Sequence, residues 1–269
     1  MSSAAHAKPY EGLAGIYDRR RPSYPEDAVR AVAALATSAA AAGMALDVGC
    51  GTGIFTRLLA AALPPGFTVV GIEPSADMRA TAASRADPAG RTRFAAGRAE
   101  ALPVAARSVA LVTAATAVHW FDRPRFYAEA ARALVPAGTL AIVENKRRWW
   151  DSAALAAYET ILETHVPGYR RGTHPARAGA FVDMDYAADL AADPAFAAPQ
   201  STTWPWQMEF ARAAFVEFAR SSTIMQRAIA RASAPVIDRA LDDFLDRHAP
   251  DGVVVVPYRT QVVAAHPRA

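Results

Sequence analysis

The sequence predicts a doubly wound α/β fold, in which helices cover both faces of a mostly parallel sheet. The first half of the 269 residues alternates short apolar runs with helical patterns, which is typical of βαβ units. A glycine-rich turn at residues 49–53 follows the first apolar run and opens a helical pattern. Proline–glycine clusters at residues 64–66 and 136–138 punctuate the chain before two further apolar runs.

The apolar runs predict strands, and the stretches with helical periodicity between them predict helices. Strands are expected in the first half at residues 44–48, 67–72, 92–95, 109–113 and 139–144. Helices are expected at residues 31–42, 53–63, 75–86 and 124–134. In the second half, helices are expected at residues 152–165, 211–220 and 235–247, and strands at residues 204–210 and 253–263. Residues 167–180 are polar and show no periodicity.

No repeat or low-complexity linker divides the chain, so we expect a single domain over residues 1–269. Its parts would be an N-terminal cap, a ligand-binding core, an insertion and a C-terminal set of strands and helices. The insertion is expected to pack over the sheet without a core of its own. These parts would span residues 1–30, 44–145, 146–200 and 201–269.

Composition excludes several classes of protein. Hydrophobic residues make up 52% of the chain and charged residues 20%, which is typical of a globular domain. The single cysteine, Cys50, excludes a disulfide framework and a cysteine-based zinc site, and the histidines lack metal-ligand spacing. Residues 1–8 lack a secretory apolar region, and no run of large apolar residues predicts a membrane span. We therefore expect a cytoplasmic protein without a bound metal.

The basic residues indicate no nucleic-acid partner. The net charge is +3, and all but two of the 29 basic residues, Lys8 and Lys146, are arginines. These arginines are scattered along the chain, whereas a nucleic-acid binder usually carries a dense basic stripe. We expect a small-molecule substrate rather than nucleic acid or a membrane.

The glycine turn is the most informative segment. It reads LDVGCGTG over residues 46–53, so glycines recur at every second position. Such glycines let the backbone turn tightly and approach a ligand closely. A dinucleotide-binding fingerprint would place glycine at position 54, where Ile54 stands, which disfavours an NAD-dependent dehydrogenase. Glu73, at the end of the second strand, is placed to accept hydrogen bonds from ribose hydroxyls.

The chain resembles the class I S-adenosylmethionine-dependent methyltransferases, in the type-11 group that includes trans-aconitate methyltransferases. Six segments carry the resemblance, and residues 146–200 lie outside them. The segments read YDRRRPSYP, LDVGCGTG, GIEPSADM, GRAEALPV, VTAATAVHWFD and VVVVPYRTQVV. The resemblance implies a seven-stranded Rossmann-like sheet whose last strand is antiparallel. It also implies S-adenosyl-L-methionine as the cofactor.

The resemblance implies a set of residues around that cofactor. Gly49 and Gly51, together with Asp47, would pass its methionine part, and Glu73 would hold the ribose. Arg98 stands where relatives carry an aspartate that accepts from the adenine amino group, so the adenine contact would come from neighbouring residues. The remaining implied cofactor residues are Tyr17, Arg21, Tyr24, Pro74, Met78, Ala99, Glu100 and Ala114.

His119 is the first candidate for a general base, because it follows the fourth strand at the edge where open α/β folds bind ligands. Glu144 is the second candidate. A histidine beside Trp120 could equally be a structural hydrogen-bonding group.

All five tryptophans follow the cofactor half of the chain. Trp120, Trp149 and Trp150 are candidates for an aromatic acceptor pocket, although they could also be ordinary core residues. We therefore expect methyl transfer to an aromatic or heteroaromatic small molecule, such as an indole- or phenol-like natural-product intermediate.

Three alternatives remain open at this point. The arginines at residues 147–148 and 170–171 could clamp a carboxylate, which would indicate a carboxylate O-methyltransferase acting on a small organic acid. The acceptor could be a macromolecule. The protein could also be a module that binds S-adenosylmethionine without catalysis.

Overall fold

The computed structural model describes residues 22–37, 43–85, 87, 90–176, 179–182 and 184–268. Nine strands occur in these residues. They are β1 (Gly43–Val48), β2 (Phe67–Ile72), β3 (Thr92–Ala95), β4 (Val109–Ala115), β5 (Leu134–Arg147), β6 (Thr173–Ala176), β7 (Gly179–Val182), β8 (Gln200–Ala211) and β9 (Val253–Ala265).

Seven of these strands form one sheet in the order β3-β2-β1-β4-β5-β9-β8. Strands β1 to β5 run parallel, whereas β9 is antiparallel to both β5 and β8. This arrangement confirms the mostly parallel seven-stranded sheet and the antiparallel last strand. Strands β6 and β7 form a separate hairpin inside the segment for which the sequence showed no periodicity.

Helices flank this sheet and follow it in the chain. They are α1 (Glu26–Thr37), α2 (Ile54–Ala62), α3 (Ala76–Ser84), α4 (Arg123–Ala133), α5 (Ala153–His165), α6 (Tyr186–Ala191), α7 (Arg212–Arg220), α8 (Thr223–Ala232) and α9 (Ala234–His248). Single 3-10 turns occur at Val118–Trp120 and Trp149–Asp151.

Several boundaries differ from those expected. Helix α1 begins earlier than predicted, where Glu26 and Asp27 place negative charge at the helix N-terminus. It is described as far as Thr37, so the rest of the predicted helix lies outside the described residues. Strand β8 and the C-terminal end of β5 extend further than predicted because both pair with the long strand β9, whereas β5 begins earlier because Leu134 pairs with Val109 of β4. Helix α8, which was not predicted, is capped by Ser222, whose hydroxyl accepts from the Met225 backbone N–H.

Within the described ranges, three apolar clusters make up the core. One lies on each face of the sheet, because successive strand residues point to opposite faces; Leu46 and Ala45 of β1 belong to different clusters. The third cluster joins α5 to α7, α8 and α9 and to the ends of β8 and β9. Helix α5 of the expected insertion therefore shares its core with the C-terminal helices. We call α5, α7, α8 and α9 together the cap; it extends beyond residue 200.

The glycine turn passes through a narrow space at the end of β1. Gly49, Gly51 and Gly53 all have left-handed backbone angles, with φ of +70°, +55° and +76°. A Cβ on Gly49 would lie 2.8 Å from the Ala117 Cβ, whereas one on Gly51 would meet nothing within 4 Å. The Gly49 N–H donates to the carbonyl of Ile72 over 2.8 Å, which fixes the turn to β2.

Asp47, just before this turn, is 1% exposed and links three elements of the fold. Its carboxylate accepts from the hydroxyls of Thr56 in α2, over 2.6 Å, and Thr113 in β4, over 3.2 Å. Burial raises the pKa of Asp47 to about 7, and the two hydroxyl hydrogen bonds only partly oppose that rise.

We expect Gly49→Ala to destabilise the fold more than Gly51→Ala. Both substitutions place an alanine in left-handed backbone, which costs about 1–2 kcal/mol. Only Gly49→Ala also forces a Cβ against a packed neighbour, which adds about 1–3 kcal/mol. Chemical denaturation of the two variants measures the difference. Equal losses of stability would contradict the close packing at Gly49.

We expect Asp47→Asn to remove a pH-dependent loss of stability. The folded protein holds the Asp47 proton up to a pKa of about 7, whereas the unfolded chain releases it near the ordinary value of 3.8. The free energy of unfolding therefore falls between pH 4 and 7, by on the order of 4 kcal/mol at most. Denaturation curves across that range should show a smaller fall for Asp47→Asn. The exposed Asp251→Asn should follow the wild type, and parallel curves for all three proteins would refute the assignment.

Candidate active site

A cavity of about 200 Å³ opens where the carboxyl ends of β1, β4 and β5 meet. The glycine turn forms one wall, from Gly49 to Thr52, and the residues after β4, Ala115 and Thr116, form another. The end of β5 contributes a third wall. Ligands of open α/β sheets bind at this edge because the chain reverses there and leaves a crevice.

Glu73 lies beside the glycine turn, at the end of β2. One carboxylate oxygen accepts from the Gly51 backbone N–H over 3.1 Å, and the other accepts from the Ser75 backbone N–H over 2.9 Å. Burial raises the pKa of Glu73, while these two hydrogen bonds and the charge of Arg79 oppose the rise. Glu73 therefore holds the turn in place as well as presenting a carboxylate, a role that its spacing in the sequence did not indicate.

A chain of hydrogen bonds links the cavity wall to β9. The Tyr24 hydroxyl lies 3.1 Å from the Thr116 hydroxyl, which also accepts from the Asn145 backbone N–H over 3.4 Å. The Thr260 hydroxyl donates to the Asn145 side-chain carbonyl over 2.6 Å. Thr116 has a φ of +51°, which is unusual for a β-branched residue. Tyr24, Thr116 and Asn145 all line the cavity, and no pattern in the sequence singled out the last two.

His119 and Glu144 both line the cavity. His119 belongs to the 3-10 turn after β4, and its ring centroid lies 5.4 Å from that of Trp120. Glu144 belongs to β5. The structure thus brings the two candidate bases to one cavity, together with the glycine turn.

Of the three tryptophans expected at the acceptor pocket, one lines the cavity. Trp149 lines the cavity, whereas Trp120 and Trp150 lie outside its wall. Trp150 is 47% exposed, and the Arg259 guanidinium lies 5.8 Å from its ring centroid. Trp206 stacks in the third cluster and donates its indole N–H to a hydroxyl, so it is a core residue.

Of the other cofactor residues that the resemblance implied, none within the described part of the chain lies on the cavity wall. Tyr17 and Arg21 fall outside the described residues. Ala114 is fully buried within β4. Glu100 accepts a hydrogen bond from the Asp122 backbone N–H over 2.9 Å. The remaining three of these residues are Pro74, which is exposed, and Met78 and Ala99, which are buried.

An ion pair forms the far wall of the cavity. Arg147 and Glu159 line it, with the Arg147 Nη2 3.1 Å from a carboxylate oxygen of Glu159. The Tyr169 hydroxyl donates to the other oxygen of Glu159 over 2.6 Å. The nearby carboxylate raises the pKa of Arg147 despite its desolvation. Sequence reasoning missed Glu159 because a lone glutamate in a helical pattern is typical of an exposed face.

Two further features of the described residues concern metal binding and membrane spans. No group of three or more His, Cys, Asp or Glu side chains in this part of the chain is arranged to hold a metal ion. Among the helices that the structure describes, none is long and apolar enough to cross a membrane.

Part of the chain is similar in sequence to known methyltransferases. Residues 46–142 match the family model described as a methyltransferase domain. An uncharacterized methyltransferase of Mycobacterium tuberculosis (strain H37Rv) is 37% identical over 133 residues, which is 49% of this chain and 50% of that protein. The match thus spans about half the length of this relative.

Solved structures share the fold at low sequence identity. A chain from Anaeromyxobacter dehalogenans, provisionally assigned as a type II methyltransferase, has a TM-score of 0.65 and 23% identity, covering 91% of this chain and 97% of its own. Phosphoethanolamine N-methyltransferase 2 of Haemonchus contortus, solved with S-adenosyl-L-methionine, has a TM-score of 0.52 and 16% identity, covering 97% and 56%. Residues 46–142 thus match a methyltransferase domain, and these solved methyltransferase structures share the fold of the chain.

Proposed function

We propose that the protein transfers a methyl group from S-adenosyl-L-methionine to a small-molecule acceptor. The observation that carries this proposal is that the glycine turn lines the cavity and is hydrogen-bonded to Glu73, at one edge of a sheet that matches a methyltransferase domain. The H. contortus neighbour, which was solved with this cofactor, supports the choice.

The residues present fit this cofactor. The space beside Gly51 is open, so a ligand can approach the backbone there. The Glu73 carboxylate is fixed next to that space and can accept hydrogen bonds from two ribose hydroxyls. Met78, buried four residues after Pro74, would pack on the adenine side of Glu73. When bound, the cofactor supplies an electrophilic methyl group on a sulfonium sulfur.

The chain itself has little covalent chemistry to perform. Holding the acceptor atom in line with the methyl group supplies most of the rate, because alignment converts an encounter into an intramolecular step. His119, on the cavity wall, would remove a proton where the accepting atom is an N–H or O–H group. Glu144, on the same wall, is the second candidate for that proton transfer.

The acceptor that the cavity favours is aromatic or heteroaromatic. Beyond the glycine turn, eight of the side chains on the wall carry aromatic rings. They are Tyr24, Phe55, His119, Trp149, Tyr158, Tyr169, Phe218 and Tyr258. A flat ring between such faces gains apolar burial and roughly 0.5–1.5 kcal/mol per aromatic pair beyond it. Of the arginines that could have held a carboxylate, Arg170 is exposed and outside the wall, and Arg147 is paired with Glu159.

We expect Glu73→Gln to weaken the binding of S-adenosylhomocysteine roughly tenfold or more. Replacing a charged acceptor of hydrogen bonds by a neutral one costs about 1.5–3 kcal/mol. Calorimetry with S-adenosylhomocysteine measures the change, and Glu209→Gln, exposed on β8, provides the matched control. If the dissociation constant changes by less than about threefold, Glu73 does not hold the ribose. Binding of NAD without binding of S-adenosylhomocysteine would refute the whole function.

We expect turnover with phenols or indoles when labelled cofactor is offered with a panel of acceptors. The panel should also contain di- and tricarboxylic acids, since those test the alternative of carboxylate methylation. The rings on the cavity wall favour the aromatic compounds. Methyl transfer confined to the acids would show that the wall aromatics are only core residues and that an arginine holds the substrate.

A further inference from the structure

The ion pair on the far wall lies where a carboxylate acceptor would have to bind. We propose that Glu159 determines acceptor specificity: by neutralising Arg147, it makes the far end of the cavity select uncharged aromatic acceptors over carboxylates. This inference rests on the proposed function, because it takes the cavity to be the acceptor site.

The geometry commits Glu159 to this pairing. Its side chain is 2% exposed, one oxygen faces Arg147 over 3.1 Å, and the other accepts from the Tyr169 hydroxyl over 2.6 Å. The Arg147 side chain retains 26% exposure, and its guanidinium lies 5.7 Å from the Tyr158 ring centroid. Arg147 is thus accessible from the cavity, yet a carboxylate already balances its charge.

The wall around this ion pair carries equal numbers of acidic and basic side chains. Its uncharged groups are rings, hydroxyls and aliphatic side chains, mainly Tyr158, Tyr258, Phe218, Ser221, Ser222 and Ile224. Lys146 and Glu144 lie on the same strand as Arg147 and also line the cavity. Together with the ion pair they make two formal positive and two formal negative charges, so Glu159 is needed to balance Arg147.

A carboxylate acceptor would meet an energetic conflict there. Beside Arg147 it would also lie close to Glu159, so two carboxylates would share one guanidinium in a site shielded from water. An uncharged ring leaves the ion pair intact and packs on the aromatic wall. Removing the charge of Glu159 leaves Arg147 without a counterion and turns the same wall into a site for an anion.

The test compares pairs of ligands that share a ring and differ in one substituent, an uncharged hydroxymethyl group or a carboxylate. The probes are indole-3-methanol against indole-3-carboxylate, and 3-hydroxybenzyl alcohol against 3-hydroxybenzoate, titrated by calorimetry into protein saturated with S-adenosylhomocysteine. The wild type should bind the uncharged member of each pair more tightly. Glu159→Gln should shift the ratio of the two dissociation constants toward the acid by at least about tenfold, equivalent to 1.4 kcal/mol.

Two variants control for structural effects. Glu163→Gln breaks a similar glutamate–arginine pair on α5, with Arg171, outside the cavity wall, and should leave the ratio unchanged. Arg147→Gln combined with Glu159→Gln removes both charges and should not gain affinity for the acids. The double variant also serves if Glu159→Gln alone fails to fold, since it leaves no uncompensated buried charge.

The proposal is overturned if the acids bind the wild type as tightly as their uncharged partners, or if no uncharged partner binds. It is equally overturned if the double variant gains affinity for the acids, because cavity shape rather than charge would then set the selectivity. Failure of the wild type to bind S-adenosylhomocysteine is a separate result, which would refute the proposed function itself.

Discussion

The close passage of the glycine turn across the ends of β1 and β2 is the constraint on which the rest of the site depends. Gly49 has no room for a side chain against Ala117, and its N–H is held by the carbonyl of Ile72. Because the chain crosses so closely there, helix α2 can start directly over the sheet edge. The open space beside Gly51 and the carboxylate of Glu73 are consequences of that path.

Three buried carboxylates around the cavity are stabilised in three different ways. Asp47 accepts from two threonine hydroxyls, Glu73 accepts from two backbone N–H groups, and Glu159 faces an arginine and a tyrosine hydroxyl. Burial raises the pKa of Asp47 and that of Glu73, and their hydrogen bonds from neutral donors only partly offset the rise. Glu159 is paired directly with the Arg147 guanidinium. Asp47 thus joins β1 to α2 and β4, Glu73 holds the glycine turn, and Glu159 balances a charge.

The cap and the sheet contribute different parts of the site. The sheet edge supplies the turn and the two candidate bases, His119 and Glu144, whereas residues of the third cluster supply most of the aromatic wall. Helix α5 packs with α7, α8 and α9, so segments far apart in the chain build one surface. The glycine turn and this surface therefore form separate parts of the cavity wall.

The sequence by itself determined the parallel strands of the sheet and the ligand turn, because these depend on local periodicity and on glycines that act within a few residues. The antiparallel direction of the last strand followed instead from the resemblance to the class I methyltransferases. The strand-end positions of Glu73, His119 and Glu144 followed from that topology. Only the tertiary structure decided which tryptophan lines the cavity, and that Glu159 pairs with Arg147. Such pairings join residues whose spacing along the chain carries no periodic signal, and the packing of the cap helices against the sheet brings them together.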